Sequence, residues 1–277
     1  MHTPRRAFTL VELLVVISII GLLSTIAIVS MSGSRDKARI ASAISFERSL
    51  HDSLGSSLVA QYDFEEGSGS SAGDFSGNGN TGTLVGSPYW STDTPYAGSK
   101  YSLGFGGGNY VDTARGLGLG STNFTISAWI KTTSAAGQMY FAATNSSDWF
   151  RFGVSVGNVA FLLGNGSFTE SDCGTRPVND GKWHHLAGSF SRTDLTVTCY
   201  IDGQQSGKVA LGGSYVIGST SIVRFGSTYC CSTFVGQLDN IRFYTQDTKG
   251  VSYTVPLNES GVAAVADRPR PVLIKYE

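Results

Sequence analysis

Charge is scarce in this chain of 277 residues. Asp, Glu, Lys and Arg make up 15% of it, where soluble domains average roughly 25%. The 20 basic residues are scattered against 21 acidic ones, for a net charge of −1. No basic stripe is present that could neutralise a phosphate backbone, which argues against nucleic acid as a direct ligand. Cysteine is missing from the first 172 residues, and the four that follow include no CxxC pair suited to zinc. Beyond residue 57 no helical pattern of useful length occurs, which excludes a parallel sheet with crossover helices. Glycine is what the chain has in quantity, at 35 residues, and it reads as turns joining short strands.

The opening MHTPRRAFTLVELLVVISIIGLLSTIAIVSM has no charged residue from Leu13 to Met31. That stretch, at about 1.5 Å of helical rise per residue, spans roughly 28 Å, the hydrocarbon thickness of a bilayer. A secretory signal has a shorter apolar core and a small-residue cleavage site after it. Here Arg5, Arg6 and Ala7 precede the run instead, so processing is expected on its N-terminal side. Glu12 breaks the pattern, because an ionised carboxylate in lipid costs a few kcal/mol unless it finds a partner. The segment after Gly33 continues with Ile40, Ile44, Leu50 and Leu54 at helical spacing, an amphipathic extension that Gly55 ends.

The run Arg5-Arg6-Ala7-Phe8-Thr9-Leu10-Val11-Glu12-Leu13-Leu14 resembles the processing and methylation site of type IV pilins and pseudopilins. The resemblance implies that a prepilin peptidase cuts between Ala7 and Phe8 and that the new amino group of Phe8 is methylated. It further implies that Glu12 pairs with the N-terminal amine of a neighbouring pilin subunit. The chain then sits in the inner membrane by one helix before assembly, and afterwards in an extracellular pilus or at a prokaryotic cell surface. Two departures stand out: Ala7 replaces the usual glycine, and a proline late in the apolar run is absent, Val29 and Ser30 standing there.

From Leu58 the period becomes two. FTISAWIK (124–131), WHHLAGSF (183–190), LTVTCYIDG (195–203) and LDNIRFYT (238–245) are bounded by Gly, Asn, Ser and Asp, as antiparallel strands of a sandwich are. With YDFEEGSG (62–69), DFSGNGNTGTL (74–84) and GQLDNIRFY (236–244) added, residues 58–245 resemble a laminin G-like, concanavalin A-like jelly roll. The expected fold is α+β overall: a long N-terminal transmembrane and amphipathic helix, then an all-β sandwich. The expected divisions are a leader (1–7), a pilin-type helix (8–57, membrane span about 8–31), the sandwich (58–245) and a tail or added strand (246–277).

The loop Asp74–Asn80 supplies the oxygens a hard cation wants, and the resemblance places a structural calcium between it and an acid at the start of the last strand, Asp239. Asp74, Asn78, Asn80 and Asp239 are thus the expected calcium ligands. Disulfides among Cys173, Cys199, Cys230 and Cys231 are open as to pairing: Cys173 with Cys199 or with one of the later two. Cys199 equally fits a small buried position in the run Leu195, Val197, Cys199, Ile201. Trp90, Tyr96, Trp149 and Tyr229 lie near loops and are the aromatic candidates for a ligand, whereas Trp129 and Trp183 fall within strands and are expected to pack.

Catalysis is not expected. Glu170-Ser171-Asp172 begins like the carboxylate set of a jelly-roll glycosidase but lacks the final acid, and Glu65–Glu66 and His184–His185 point to opposite faces of any strand. The expected function is a pilin-like surface subunit presenting its sandwich to a surface glycan or protein. The alternative is a purely structural pilin, or a minor pseudopilin of a secretion or DNA-uptake machine.

Overall fold

The computed structural model describes residues 9–120, 122–135, 138–145, 148–155, 157–165, 168–169, 173–174, 176–211, 222–227 and 233–251. Two compact units divide it, Met1–Arg39 and Ile40–Glu277. Helix α1 runs Leu10–Leu54, so its last turns are counted with the second unit.

In the first unit the helix begins with a reciprocal cap. The Thr9 Oγ1 accepts from the Glu12 amide at 3.2 Å while the Thr9 amide and hydroxyl donate to Glu12 at 2.8 and 2.7 Å, satisfying backbone donors that have no partner inside the helix. Leu10, Val11, Leu13, Leu14, Ile17, Ile20 and Leu23 are all exposed, an apolar surface around the whole circumference. The expected span over 8–31 falls partly outside the described residues, since residue 8 and the side chains of 26–32 are not described. Among the described residues no helix is long and apolar enough to cross a membrane.

The second unit holds sixteen described strands: β1 (Leu58–Tyr62), β2 (Ser71–Ala72), β3 (Gly82–Val85), β4 (Tyr89–Ser91), β5 (Ser102–Gly106), β6 (Tyr110–Gly116), β7 (Phe124–Lys131), β8 (Gln138–Asn145), β9 (Asp148–Ser155), β10 (Asn158–Asn165), β11 (Phe168–Thr169), β12 (Trp183–Ser191), β13 (Thr196–Ile201), β14 (Gln204–Ala210), β15 (Ile222–Phe225) and β16 (Val235–Tyr244). They form two antiparallel sheets. The first is ordered β14-β13-β12-β7-β16-β5-β4 and the second β11-β10-β9-β8-β15-β6-β3-β2. Strand β16 is long enough to take β5 against its first half and β1 against its second, with β7 on its other edge.

Alternation along each strand fills the space between the sheets. Phe124, Phe150, Phe152, Phe161 and Phe190 meet there with neighbouring ring centroids 5.2–6.2 Å apart, spacings at which tilted and edge contacts are favourable. In β16 the alternation is re-phased by a bulge between Asp239 and Arg242, where Asn240 takes a left-handed φ of 47°. Leu238, Ile241 and Phe243 therefore all reach the core, and Tyr244 packs on the opposite face of the sheet.

Both faces of the first sheet are buried at its centre. Every residue of β12, and all of β7 except Lys131, is buried, which a sheet with one wet face cannot show. The cover is the last part of α1. Phe46, Leu50 and Leu54 pack on Ala187 and Tyr244, and Ala43 packs on Trp129 and Trp183. Burying each of these larger apolar side chains is worth about 1.5–3 kcal/mol.

Candidate functional site

One charge sits on the apolar stripe of that helix. Glu47 is buried, forms an ion pair with Arg242 of β16, and accepts from the Trp129 indole of β7 at 3.0 Å. Burial alone would raise its carboxyl; the Arg242 guanidinium, with His185 and the two hydrogen bonds, holds it below its ordinary value. His185 of β12 lies in the same layer, edge-on to Phe46 (5.9 Å) and Trp129 (5.4 Å), fully buried and with neither ring nitrogen hydrogen-bonded. Burial pushes its imidazole below the usual range; Glu47 and Asp202 oppose that shift and Arg242 adds to it. This face of the sandwich is occupied by the chain itself.

The outer face of the second sheet is built differently. Inward residues Phe150 and Phe152 of β9 leave Trp149 and Arg151 on the other side. The Trp149 ring lies against Gly164 of β10, where any Cβ would fall within 2.4 Å of ring atoms, and the Arg151 guanidinium stands 4.7 Å from the ring centroid. Register carries this row across the sheet: Arg151 opposes Ala142 of β8, Ala142 opposes Arg224 of β15, and Arg224 opposes Asp112 of β6. Arg224 forms a two-pronged bond with Asp112 at 2.8 and 2.9 Å and stacks 3.6 Å from the Tyr110 ring centroid. Two guanidiniums, each laid on an aromatic ring, thus flank one alanine position.

The residues expected to hold calcium fall into two groups. Asp74 accepts from the amides of Gln61 (3.0 Å), Ser76 (2.9 Å) and Asn80 (2.8 Å), which takes most of its lone pairs. Asn78 donates to the Leu58 and Val59 carbonyls and Asn80 to that of Val59. Asp239 belongs with Ser99, whose hydroxyl bonds to it at 2.7 Å and to Glu65 and the Tyr101 carbonyl at 3.2 Å each. Among the described residues no group of three His, Cys, Asp or Glu is arranged for a metal.

Cys173 and Cys199 form a disulfide, Cα–Cα 5.6 Å; Cys230 and Cys231 lie outside the described residues, as do Ala7, Phe8, Tyr229, Glu170 and Asp172. Of the aromatic candidates, Trp90 donates to the Gly69 carbonyl and packs edge-on to Phe64. Tyr96 packs on Trp129 and accepts from Asn240, and Trp149 packs against the buried Ala160 and Leu162 on the outer face of the second sheet. Glu65 and Glu66 diverge to Lys100 and Gly73, and His184 is held by Asp202 and Asp180 while His185 lies under the helix. Glu47, Arg151 and Arg224 lie in no motif, and Arg242, inside GQLDNIRFY, carries no sign there of its partner on the helix. For Glu47 one signal existed, an acid between Phe46 and Leu50 on the face that Ala43 and Leu54 mark as buried.

Residues 105–248, just over half of the chain, match the family described as the concanavalin A-like lectin/glucanases superfamily. Residues 3–28 match the prokaryotic N-terminal methylation motif, which implies prepilin-peptidase processing, assembly with other pilin subunits and a membrane-anchored, then surface-exposed location. No curated protein matches the chain. Among solved structures, domain 4 of AbnA, a GH43 extracellular arabinanase from Geobacillus stearothermophilus in complex with arabinotriose, is similar at TM-score 0.58 and 20% identity, covering 76% of this chain and 98% of that one. The binding domain of Paraclostridial Mosquitocidal Protein 1 follows at 0.56 and 15%, covering 76% and 52%. The binding domain of Botulinum Neurotoxin DC in complex with SialylT is similar at 0.52 and 12%, covering 72% and 52%. The chain thus spans about half the length of those toxin binding domains. At such identities the likeness shows the fold alone, and it agrees with the two-sheet sandwich described above. The chain belongs to the concanavalin A-like lectin/glucanases superfamily, with a prokaryotic methylation motif ahead of its sandwich.

Proposed function

We propose that this chain is a type IV pilin-like surface subunit whose sandwich binds carbohydrate or protein and so mediates adhesion, without enzymatic activity. The observation that carries the reading is the joining of a methylation motif at residues 3–28 to a lectin-type sandwich in one chain. The apolar circumference of the helix from Leu10 to Leu23 supports insertion in the inner membrane before assembly. Glu12, capped by Thr9 in the unprocessed chain, then gains the amine of a neighbouring Phe8. The similar domains whose names record complexes with arabinotriose and SialylT support a binding role.

Whole cells test this. Loss of the protein is expected to abolish saturable attachment to a glycan or protein surface, and attachment is expected to return with the intact chain. Unchanged attachment without the protein leaves a purely structural subunit. Calcium is part of the proposal, with Asp74, Asn78, Asn80 and Asp239 as oxygen donors. A melting temperature that rises by several degrees when Ca2+ is returned to chelated protein supports it, and no shift removes the metal.

A further inference from the structure

The reading above leaves the ligand unnamed; a cleft on the first sheet narrows it. We propose that the outer face of β12, β13 and β14, beside the segment 247–249, holds one ring of a neutral sugar, gripped through its hydroxyls by Thr196, Thr198, Gln205 and Lys208. The inference rests on the adhesion reading and deepens it.

Register builds the cleft. Residues directly opposite on neighbouring antiparallel strands share a face. Thr125, Ser189, Thr198 and Lys208 therefore form one row from β7 to β14, Ser191 and Thr196 a second, and Tyr200 and Gln205 a third. Hydroxyls face outward along β13 while Val197, Cys199 and Ile201 face the core. Helix α1 covers the middle of this sheet, and its Phe46 meets the Tyr200 ring with 4.9 Å between centroids. Beyond Tyr200 the wall is the chain that follows β16. The Thr248 amide donates to Ser189 at 2.9 Å, the Thr248 and Tyr200 hydroxyls are bonded at 3.0 Å, and Lys249 reaches Asp194 at 2.7 Å. Between them lies a cleft of about 120 Å³, well under the roughly 300 Å³ at which pockets for drug-sized ligands begin. It takes one sugar ring and leaves the rest of a glycan in solvent.

The polar groups of the lining are either engaged or open. Asp194 is taken by Lys249 and Ser191, and Asp247 by the Asn123 side chain at 2.9 Å and the Lys249 amide at 3.1 Å. Thr196, Thr198, Gln205 and Lys208 make no hydrogen bond or ion pair among the described residues, and neither threonine hydroxyl is sealed from water. Lys208 acts on Asp194 only through space. Hydroxyl and amide groups both give and accept, as sugar hydroxyls do, while the threonine methyls and the Lys208 stem offer apolar contact to sugar C–H groups. Asp194 and Asp247 against Lys208 and Lys249 leave the lining with no net charge. An acidic sugar therefore gains little here, and a hard cation, which wants six or more oxygens, finds no spare carboxylate.

Titration calorimetry of the full-length chain in a sugar-free detergent decides it. The probes are the methyl glycosides of glucose, galactose, mannose and N-acetylglucosamine, with those of glucuronate and galacturonate as acidic counterparts. At least one neutral probe is expected to bind, and its acidic counterpart no more tightly. Thr198→Val keeps the shape and loses the hydroxyl, and is expected to weaken that probe by at least about fivefold, the scale of one lost hydrogen bond. Thr198→Ser keeps the hydroxyl and is expected to bind like the parent. Gln205→Ala, on the exposed edge strand β14, is expected to weaken the probe at an unchanged melting temperature. Parent-like binding by both Thr198→Val and Gln205→Ala overturns the inference and leaves the adhesion reading standing. An acidic probe about tenfold tighter than every neutral one, a gap of about 1.4 kcal/mol, does the same. Failure of every neutral probe also overturns it, and unchanged cell attachment in the absence of the protein then takes the adhesion reading down as well.

Discussion

Alanine at position 47 is expected to lower the unfolding free energy of the sandwich by about 3–5 kcal/mol, the usual cost of leaving one member of a buried ion pair without its partner. Arg242 is nearly enclosed and its charge is stabilised first by Glu47, and the Trp129 indole loses its acceptor at the same time. Glu47→Gln keeps the indole bond and should cost less. Replacing both Glu47 and Arg242 by Met removes the stranded charge and should recover much of the loss. Denaturant unfolding of the full chain in detergent reads these differences, and a Glu47→Ala cost under about 1 kcal/mol would contradict the clamp.

The same layer sets an acid limit. His185 has a folded value below its ordinary 6.5, so between the two values the unfolded chain binds a proton that the folded chain refuses. Its contribution is complete above about pH 6.5 and is lost as pH falls from there. Glu47, held below its ordinary 4.5, continues the loss in the same direction below that pH. The melting temperature of the parent should therefore fall from pH 7 towards pH 4, and His185→Phe should flatten the upper part of that fall. A fragment starting at Leu58 would lack Phe46, Glu47, Leu50 and Leu54 and should aggregate, because Trp129, Ala187 and Tyr244 would lose their cover.

Removing the disulfide is the second large effect expected. Cys173 and Cys199 are 26 residues apart, and closing a loop of that size in the unfolded chain stabilises the fold by about 3–4 kcal/mol. The bridge is also a staple between sheets. The Cys173 amide donates to the Val159 carbonyl of β10, while Cys199 lies in β13. Its surroundings are closed: a Cβ at Gly207 would lie 2.3 Å from the Cys173 carbonyl oxygen. Both sulfurs are buried, so the Cys173→Ala, Cys199→Ala pair is the cleaner test and serine would add an unsatisfied hydroxyl. An unfolding free energy within about 1 kcal/mol of the parent would contradict this account.

What could be read from residues alone was local. The uncharged run from Leu13 to Met31 gives a helix, and the two-residue period of FTISAWIK and WHHLAGSF gives strands. The order of those strands resembles the sandwich family to which the chain belongs. What could not be read was long-range. Glu47 meets Arg242 across 195 positions, and no spacing rule links them. Arg151 and Arg224 become neighbours only through the registers of β9, β8, β15 and β6, and a slip of one residue would send each to the core. Asp74 and Asp239 were joined by resemblance, yet in the structure Asp74 closes its own loop with backbone amides and Asp239 turns, at the bulge of β16, towards Ser99. The bulge is set by a left-handed Asn240, and nothing in LDNIRFY announces it.

The mass of the native protein's N-terminal peptide, recovered from cells, bears on the whole account. A chain beginning at Phe8 with one methyl group on its amine is the expected result. A chain that retains Met1 and carries an unmodified Phe8 would contradict the surface-filament role, leaving a lectin-type sandwich with no route into a pilus.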